Sequence, residues 1–158
     1  MRSQPDCLLV IDMQATPETP SLGFDAAYDP NTVRNCRELI RNAIKHNIQI
    51  VFMEYKGCGH THPDLVELVE SYDKVAYVVK SEDDGGCYFH NRHDKEKWKF
   101  MKIQVCGVNI SACVQRTVET LIEIGYDVEV VRKACNGPSE YAHDEFDHYP
   151  SAPNLVLA

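Results

Sequence analysis

Short, unbroken apolar runs alternate along this chain with segments whose apolar residues recur at helical spacing. The first run, Cys7–Ile11, ends directly at Asp12. A run this short, with no polar alternation, indicates a strand buried on both faces, as in a parallel sheet. Further strands are predicted at residues 48–53, 75–79, 102–106, 127–132 and 154–157. Their alternation with helices predicts the α/β class, a three-layer Rossmann-like fold with a mostly parallel five- or six-stranded sheet.

Capping and turn residues divide the segments between these strands. Asn31 is the predicted N-cap of a helix that ends near Asn47, and Pro63 occupies the first position of a short second helix. Gly125 is predicted to end a further helix over residues 111–124. Loops are predicted at residues 13–30 and 81–93, and a short helix at residues 94–100.

Composition narrows the class of protein and its partners. The 158 residues are 44% hydrophobic and 25% charged, which fits a single domain over residues 1–158. We expect no membrane span, since one needs about 20 uninterrupted apolar residues, and we see no secretion signal, so the expected location is cytoplasmic. The net charge of −8 disfavours nucleic acid as a partner. The seven cysteines, several of them within apolar patterns, are expected to be reduced.

Three reactive side chains fall at the carboxyl ends of predicted strands, where open α/β sheets bind their ligands. Asp12 follows the first strand, Lys80 follows the third, and Cys113 lies in the first turn of the helix after the fourth. We expect the helix N-terminus to lower the thiol pKa. A catalytic Cys113 should then alkylate well below about pH 8.5 and faster than the other six cysteines, whereas an inert one should not. Asp12 could take the thiol proton, and Lys80 could hold Asp12 ionised.

Each of these residues also has an ordinary structural explanation. An aspartate that closes a strand is often a turn residue, and a lysine at a strand end is usually solvated. A cysteine at a helix start often only fills the core. It is their shared position at one edge of one sheet that favours catalysis.

The sequence around these residues resembles the isochorismatase-like cysteine hydrolases. Residues 9–14 (Leu-Val-Ile-Asp-Met-Gln) resemble the family's first strand with its Asp-Met-Gln signature. Residues 106–114 (Cys-Gly-Val-Asn-Ile-Ser-Ala-Cys-Val) are similar to its Gly-Val-x-x-x-x-Cys-Val segment, and Thr117 follows four residues after the cysteine. Residues 125–131 resemble the Gly-Tyr-x-Val strand that comes next, and Lys80 closes the third strand, as the family lysine does.

The resemblance implies a hydrolase that cleaves an amide or carbamoyl C–N bond of a small non-peptide substrate through a thioester. Cys113 would be the nucleophile, Asp12 the base and then the acid, and Lys80 their electrostatic partner. The backbone N–H groups of Asn109 and Cys113 would form the oxyanion hole, aimed by a cis peptide bond between Val108 and Asn109. We expect a small-molecule substrate, no cofactor, and a homo-oligomer, either a dimer or a tetramer.

The chain departs from the family pattern in the segments that would line the substrate pocket. Residues 81–86 read Ser-Glu-Asp-Asp-Gly-Gly, where members usually have a phenylalanine and a longer helix. Residues 109–111 read Asn-Ile-Ser, where Ala-Thr-Asp is common. Candidates for the substrate pocket are Gln14, Tyr88 and Phe89, the last two as an aromatic wall.

A metal site is not expected. Nicotinamidases of the family bind a metal through an Asp-x-His pair after strand two, and residues 54–56 here read Glu-Tyr-Lys. His60 and His62 are the only candidate ligands we retain, because they alternate with Cys58 and Asp64 in a pattern that could hold zinc. The alternative is a polar loop that leads into the next helix.

Rival functions differ in how well they fit the residues. A dinucleotide-binding domain needs Gly-x-Gly-x-x-Gly after the first strand, and residues 13–17 read Met-Gln-Ala-Thr-Pro. An aspartyl phosphatase of the haloacid dehalogenase type needs a second acid two residues after Asp12, where Gln14 stands. A catalytically inactive relative, which keeps the fold as a binding or interaction protein, stays open as the alternative.

Overall fold

The computed structural model describes residues 3–14, 29–137 and 146–158, and these contain one sheet of six parallel strands. The strands are β1 (Cys7–Ile11), β2 (Gln49–Tyr55), β3 (Val75–Lys80), β4 (Lys102–Val108), β5 (Asp127–Asn136) and β6 (Leu155–Leu157). The helices are α1 (Pro30–Lys45), α2 (Pro63–Val66) with a following 3-10 turn (Glu67–Val69), α3 (Gly86–Glu96), a π-helical turn (Ile110–Val114) and α4 (Gln115–Ile124). The predicted α/β class and the mainly parallel sheet are confirmed.

The strand order places β1 at the centre of the sheet. The order is β3-β2-β1-β4-β5-β6, so the chain winds outward from β1 first in one direction and then in the other. All five residues of β1 are buried, and the strand pairs with β2 on one side and β4 on the other. The connections reverse direction between β1 and β4, which is where open parallel sheets form a ligand crevice beyond their carboxyl ends.

Helices cover both faces of the sheet, which gives the three predicted layers. Leu9 and Ile11 of β1 point into a core that includes residues from α3 and α4. Leu8 and Val10 point into a second core, which α1 and α2 cover. Within the described residues, none of the helices is both long enough and apolar enough to cross a membrane.

The start of α1 differs from the prediction by two residues. The N-cap is Asp29, whose carboxylate Oδ2 accepts a hydrogen bond of 2.9 Å from the N–H of Thr32, and Pro30 opens the helix. Asn31, the predicted N-cap, lies inside the first turn instead. Pro30 occupies the first helical position, which suits proline because it has no backbone N–H that would need an acceptor. Most of the predicted loop over residues 13–30 lies outside the described residues.

Helix α3 replaces most of the loop predicted over residues 81–93. The two consecutive glycines, Gly85 and Gly86, suggested a loop. Glycine is needed at position 86 for packing, however, because a Cβ there would lie 2.5 Å from the side chain of Thr120 on α4. Phe89 is fully buried and anchors the helix. Lys97, in a left-handed conformation with φ of 53°, ends α3, so the helix predicted at residues 94–100 does not form as such.

Gly107 brings the end of β4 against the end of β1. It pairs in register with Ile11 and has a φ of 135°, a conformation that L side chains rarely adopt. A Cβ at this position would overlap the carbonyl of Ile11. Glycine is therefore required where the two strands approach, and this approach sets the spacing between the residues that follow β1 and β4.

Candidate active site

Asp12 and Lys80 form a fully buried ion pair beyond the ends of β1 and β3. Both side chains have 0% exposure, and Lys80 Nζ lies 3.1 Å from Asp12 Oδ2. Asp12 has a left-handed φ of 54°, and its N–H donates to the carbonyl of Met53 at 2.9 Å, so the backbone turns while staying attached to β2. Aspartate tolerates this conformation better than most residues, and such backbone outliers cluster at functional sites.

The ammonium of Lys80 has further partners around it. Its Nζ donates to the carbonyls of Glu82 and Asp83, both at 3.1 Å, and lies 4.5 Å from the centre of the Tyr55 ring. A buried lysine stays charged only when its N–H groups find acceptors and its charge is balanced. The two carbonyls and the Asp12 carboxylate meet both needs.

Cys113 lies in the π-helical turn that precedes α4. Asn109 takes a left-handed φ of 68°, and its carbonyl accepts the N–H of Val114 at 3.1 Å, a wide i to i+5 turn. Cys113 is 4% exposed, its Sγ lies 3.7 Å from Asp83 Oδ1, and the Asp12 carboxylate is close enough to act on the thiol. The predicted helix start is thus locally widened, a feature often found at functional sites.

Burial and neighbouring charges raise the pKa of both Asp12 and Cys113. For Asp12, desolvation outweighs the opposing effects of the Lys80 charge and of the neighbouring Cys113 thiol. For Cys113, desolvation is again the largest cause, and the carboxylates of Asp12 and Asp83 add to it against Lys80. The expectation of a lowered thiol pKa is therefore wrong, because burial and two carboxylates outweigh the helix N-terminus. In the resting site the thiol of Cys113 is therefore protonated, and the raised pKa makes the Asp12 carboxylate a stronger base than an ordinary aspartate.

We expect Cys113 to alkylate slowly. At pH 8, neutral iodoacetamide should modify the exposed Cys87 roughly tenfold or more faster than Cys113, because only the thiolate reacts and burial keeps Cys113 protonated. Peptide mapping of the alkylated sites over time measures both rates in one sample. Faster modification of Cys113 than of Cys87 would contradict the raised thiol pKa.

With this geometry in view, the relation to known proteins can be stated. Residues 6–147 match the Isochorismatase domain family. The chain belongs to the isochorismatase family. Isochorismatase domain-containing protein 2 of Xenopus laevis is 25% identical over 114 residues, which are 70% of this chain and 53% of that protein, so the chain spans about half the length of this curated relative.

Solved structures of the family share the fold. A structure described as a MAR1 ribonuclease from Caenorhabditis elegans has a TM-score of 0.80 and 24% identity, covering 100% of this chain and 79% of that one. A nicotinamidase from Staphylococcus aureus has a TM-score of 0.74 and 16% identity, covering 96% of this chain and 95% of that one. At these identities the likeness shows the fold alone.

This isochorismatase-family protein does not form the predicted oxyanion hole in full. The structure has no cis peptide bond among its described residues, so the bond between Val108 and Asn109 is trans. The N–H of Asn109 donates to the carbonyl of Asn136 at 2.9 Å, which leaves it unavailable to a substrate. The backbone turns here through the left-handed conformation of Asn109, without a cis peptide bond. The N–H of Cys113 stays the candidate donor.

Two of the three predicted pocket residues have structural roles. Gln14 is 1% exposed, and its amide joins the end of β1 to the loop after β2, accepting from the N–H of Tyr55 at 2.7 Å and donating to the carbonyls of Tyr55 and Gly59. Phe89 is 0% exposed and packs edge-to-face on Tyr126. Their burial and contacts give both residues a structural role, and a part in the substrate pocket stays a prediction. Tyr88 is half-buried, and its hydroxyl hydrogen-bonds to Ser81 Oγ at 2.7 Å.

The zinc candidates do not come together with other ligands. His60 is exposed, and His62 Nδ1 accepts the N–H of Asp64, which caps α2. Among the described residues, neither histidine belongs to a group of three ligand atoms close enough to share an ion. Glu54, at the start of the segment compared with the nicotinamidase motif, accepts hydrogen bonds from the N–H and hydroxyl of Thr61 at 2.6 and 2.8 Å.

Sequence reasoning missed Asp83 and Tyr55 as residues of the site. Asp83 Oδ1 lies 3.7 Å from the thiol, and the Tyr55 ring lies against Lys80 Nζ. The signal for Asp83 was its place in the acidic segment directly after Lys80, a departure from the family pattern. Tyr55 closes β2 beside Lys80, with which it pairs in register.

Proposed function

We propose that the protein hydrolyses an amide or carbamoyl C–N bond of a small non-peptide substrate through a thioester on Cys113. The observation that carries the proposal is the clustering of three side chains from three separate elements. Asp12 is paired with Lys80 at 3.1 Å, both are fully buried, and the charges of both act on the Cys113 thiol. Membership of a family that includes nicotinamidases supports amide chemistry.

In the first half of the reaction, the proton moves as sulfur attacks. Asp12 takes the thiol proton while Sγ of Cys113 bonds to the substrate carbonyl carbon, and the carbonyl oxygen becomes an oxyanion near the Cys113 N–H. The C–N bond then breaks, and the departing amine takes the proton from Asp12. The products of this half are a free amine or ammonia and the thioester on Cys113.

In the second half, water replaces the amine. Asp12, ionised again, removes a proton from the attacking water, and the C–S bond of the thioester breaks to release the acid. The sulfur recovers the proton from Asp12, which restores the resting site. Lys80 keeps one positive charge beside Asp12 throughout, so the burial of the carboxylate is balanced whenever Asp12 is ionised.

The raised pKa of Asp12 predicts where activity is lost on acidification. Asp12 must be ionised to accept the thiol proton, so activity is complete above its pKa and falls as pH drops through it. Because burial raises that pKa, the acidic limb of kcat/KM should lie above about pH 4, the ordinary carboxyl value. Fluorescence of Trp98, the single tryptophan, shows whether the protein stays folded over the same range. If the acidic limb of kcat/KM lay at or below about pH 4 while the protein stayed folded, the assignment of Asp12 as the base would be wrong.

The alternative, an inactive relative that only binds, is favoured by the burial of Cys113, which is 4% exposed and whose thiol pKa burial raises. A screen of small amides, ureas and carbamoyl compounds for ammonia or amine release separates the two. Hydrolysis that is lost in Asp12→Asn and Cys113→Ala supports the proposal. Release that persists in both variants contradicts the proposed mechanism, and no release from any compound in the screen favours the inactive relative.

A further inference from the structure

Asp83 is a partly exposed charged residue in contact with the Cys113 thiol. Its Oδ1 lies 3.7 Å from Cys113 Sγ, and its side chain is 46% exposed. By contrast, Asp12 and Lys80 are fully buried. A substrate that reaches Sγ of Cys113 from solvent therefore passes close to the Asp83 carboxylate.

The backbone around Asp83 is fixed on two sides. Its carbonyl accepts from Lys80 Nζ at 3.1 Å and from Thr117 Oγ1 of α4 at 3.4 Å. The next residue, Asp84, accepts from the hydroxyl of Thr120 on α4 at 2.5 Å and from the N–H of Gly86 at 2.8 Å. The backbone of Asp83 is consequently held beside the thiol by the same lysine that pairs with Asp12.

Negative charge is in excess around the sulfur. The charges that act on the thiol are those of Asp12, Lys80 and Asp83. Lys80 is paired with Asp12 inside the protein. Within the residues that the structure describes, the ion pair of Asp83 is with Arg116 at 4.0 Å, and the Arg116 side chain is 65% exposed, so water screens its charge.

We propose that Asp83 makes the site selective for substrates with a positive charge close to the scissile bond, and that it disfavours those with a carboxylate or phosphate there. A cationic nitrogen can pair with the exposed part of this carboxylate, whereas an anion meets repulsion, and the one buried cation among the described residues, Lys80, is already paired with Asp12. This inference rests on the proposed function for the identity of the ligand as a substrate. The charge preference itself can be measured at Cys113 without turnover.

The test uses two thiol reagents of similar size and opposite charge. Methanethiosulfonate ethyltrimethylammonium is a cation and methanethiosulfonate ethylsulfonate is an anion. With either, the sulfur of Cys113 forms a disulfide to the reagent, methanesulfinate leaves, and the thiol proton goes to solvent. The ratio of the two rates reports the local potential, and exposed Cys87 serves as the reference within each sample. Mass spectrometry of the peptides assigns each modification to its cysteine.

We expect the cation-to-anion rate ratio at Cys113 to exceed that at Cys87 by about tenfold, since one unit charge about 4 Å away changes each rate severalfold in opposite directions. Asp83→Asn keeps the shape of the side chain and should remove most of this preference. Glu82→Gln is the matched control, because it removes one charge from the neighbouring exposed residue and should leave the ratio unchanged.

Any one of four results would overturn the proposal. Three of them concern the rate ratio: a ratio at Cys113 no higher than at Cys87, a ratio that Asp83→Asn leaves unchanged, and an equal effect of Glu82→Gln. Failure of both charged reagents to reach Cys113, while Cys87 reacts, overturns it as well. If the charge preference holds but the amide screen finds no hydrolysis, the proposed function fails and the selectivity for cations stands as a binding property.

Discussion

Replacing Cys113 by alanine should lower kcat for any substrate found in the amide screen by about 10⁴-fold or more. The alanine has no nucleophile, so the thioester cannot form, and the nearby groups can only assist a direct attack by water. The buried sulfur is small, so the fold should survive with a loss of about 1 kcal/mol in unfolding free energy. Ammonia release measured at saturating substrate, alongside urea unfolding, gives both quantities.

Cys87→Ala is the matched control for this substitution. Cys87 is an exposed cysteine on α3, and its removal should change neither kcat nor the unfolding free energy beyond about 0.5 kcal/mol. A second check is mass spectrometry of wild-type protein quenched during turnover, in which an acyl group should appear on Cys113. If Cys113→Ala kept full activity, or if the acyl group were found elsewhere, the thioester mechanism would be wrong.

The parallel sheet could be predicted from the sequence because a strand that is buried on both faces is apolar along its whole length. Cys7–Ile11 reads as an unbroken apolar run, and the structure buries all of it at the centre of the sheet. Topology then brings Asp12 and Lys80 to one edge, since the carboxyl ends of parallel strands face the same way. Helix α3 was not predicted because its first residue, Gly86, is typical of a loop. Glycine is needed there for packing against Thr120, and the local sequence does not show this contact.

The chemistry of the site was predicted less completely than its location. The helix N-terminus near Cys113 suggested a lowered thiol pKa, but desolvation is a property of the assembled fold and reverses the direction. The family resemblance assigned the Asn109 N–H to the oxyanion hole. In the structure β5 extends as far as Asn136, and the carbonyl of Asn136 accepts a hydrogen bond from this N–H. Asp83 follows Lys80 by only three residues, and nothing local shows that its carboxylate turns back toward the thiol.

Replacing Lys80 by methionine should destabilise the protein by about 3–5 kcal/mol near neutral pH. Methionine has a similar length and no charge, so the variant leaves the fully buried carboxylate of Asp12 without its cation. Asp12 is then driven to bind a proton, and its pKa in the folded state rises further above the unfolded value. A group of this kind favours the native state below its unfolded pKa, and that contribution is lost as pH rises through the folded pKa.

The stability deficit of Lys80→Met should therefore shrink on acidification and grow toward neutral pH. Urea unfolding of the wild type and the variant at several pH values, followed by the fluorescence of Trp98, measures this trend. The matched control is the double variant Lys80→Met/Asp12→Asn, in which no charge is left unpaired. It should recover most of the lost free energy, because a neutral pair of similar shape costs far less to bury than one isolated carboxylate. A deficit that is independent of pH, or a double variant no more stable than the single one, would show that Lys80 matters here for its packing and its carbonyl contacts and not as the counter-ion of Asp12.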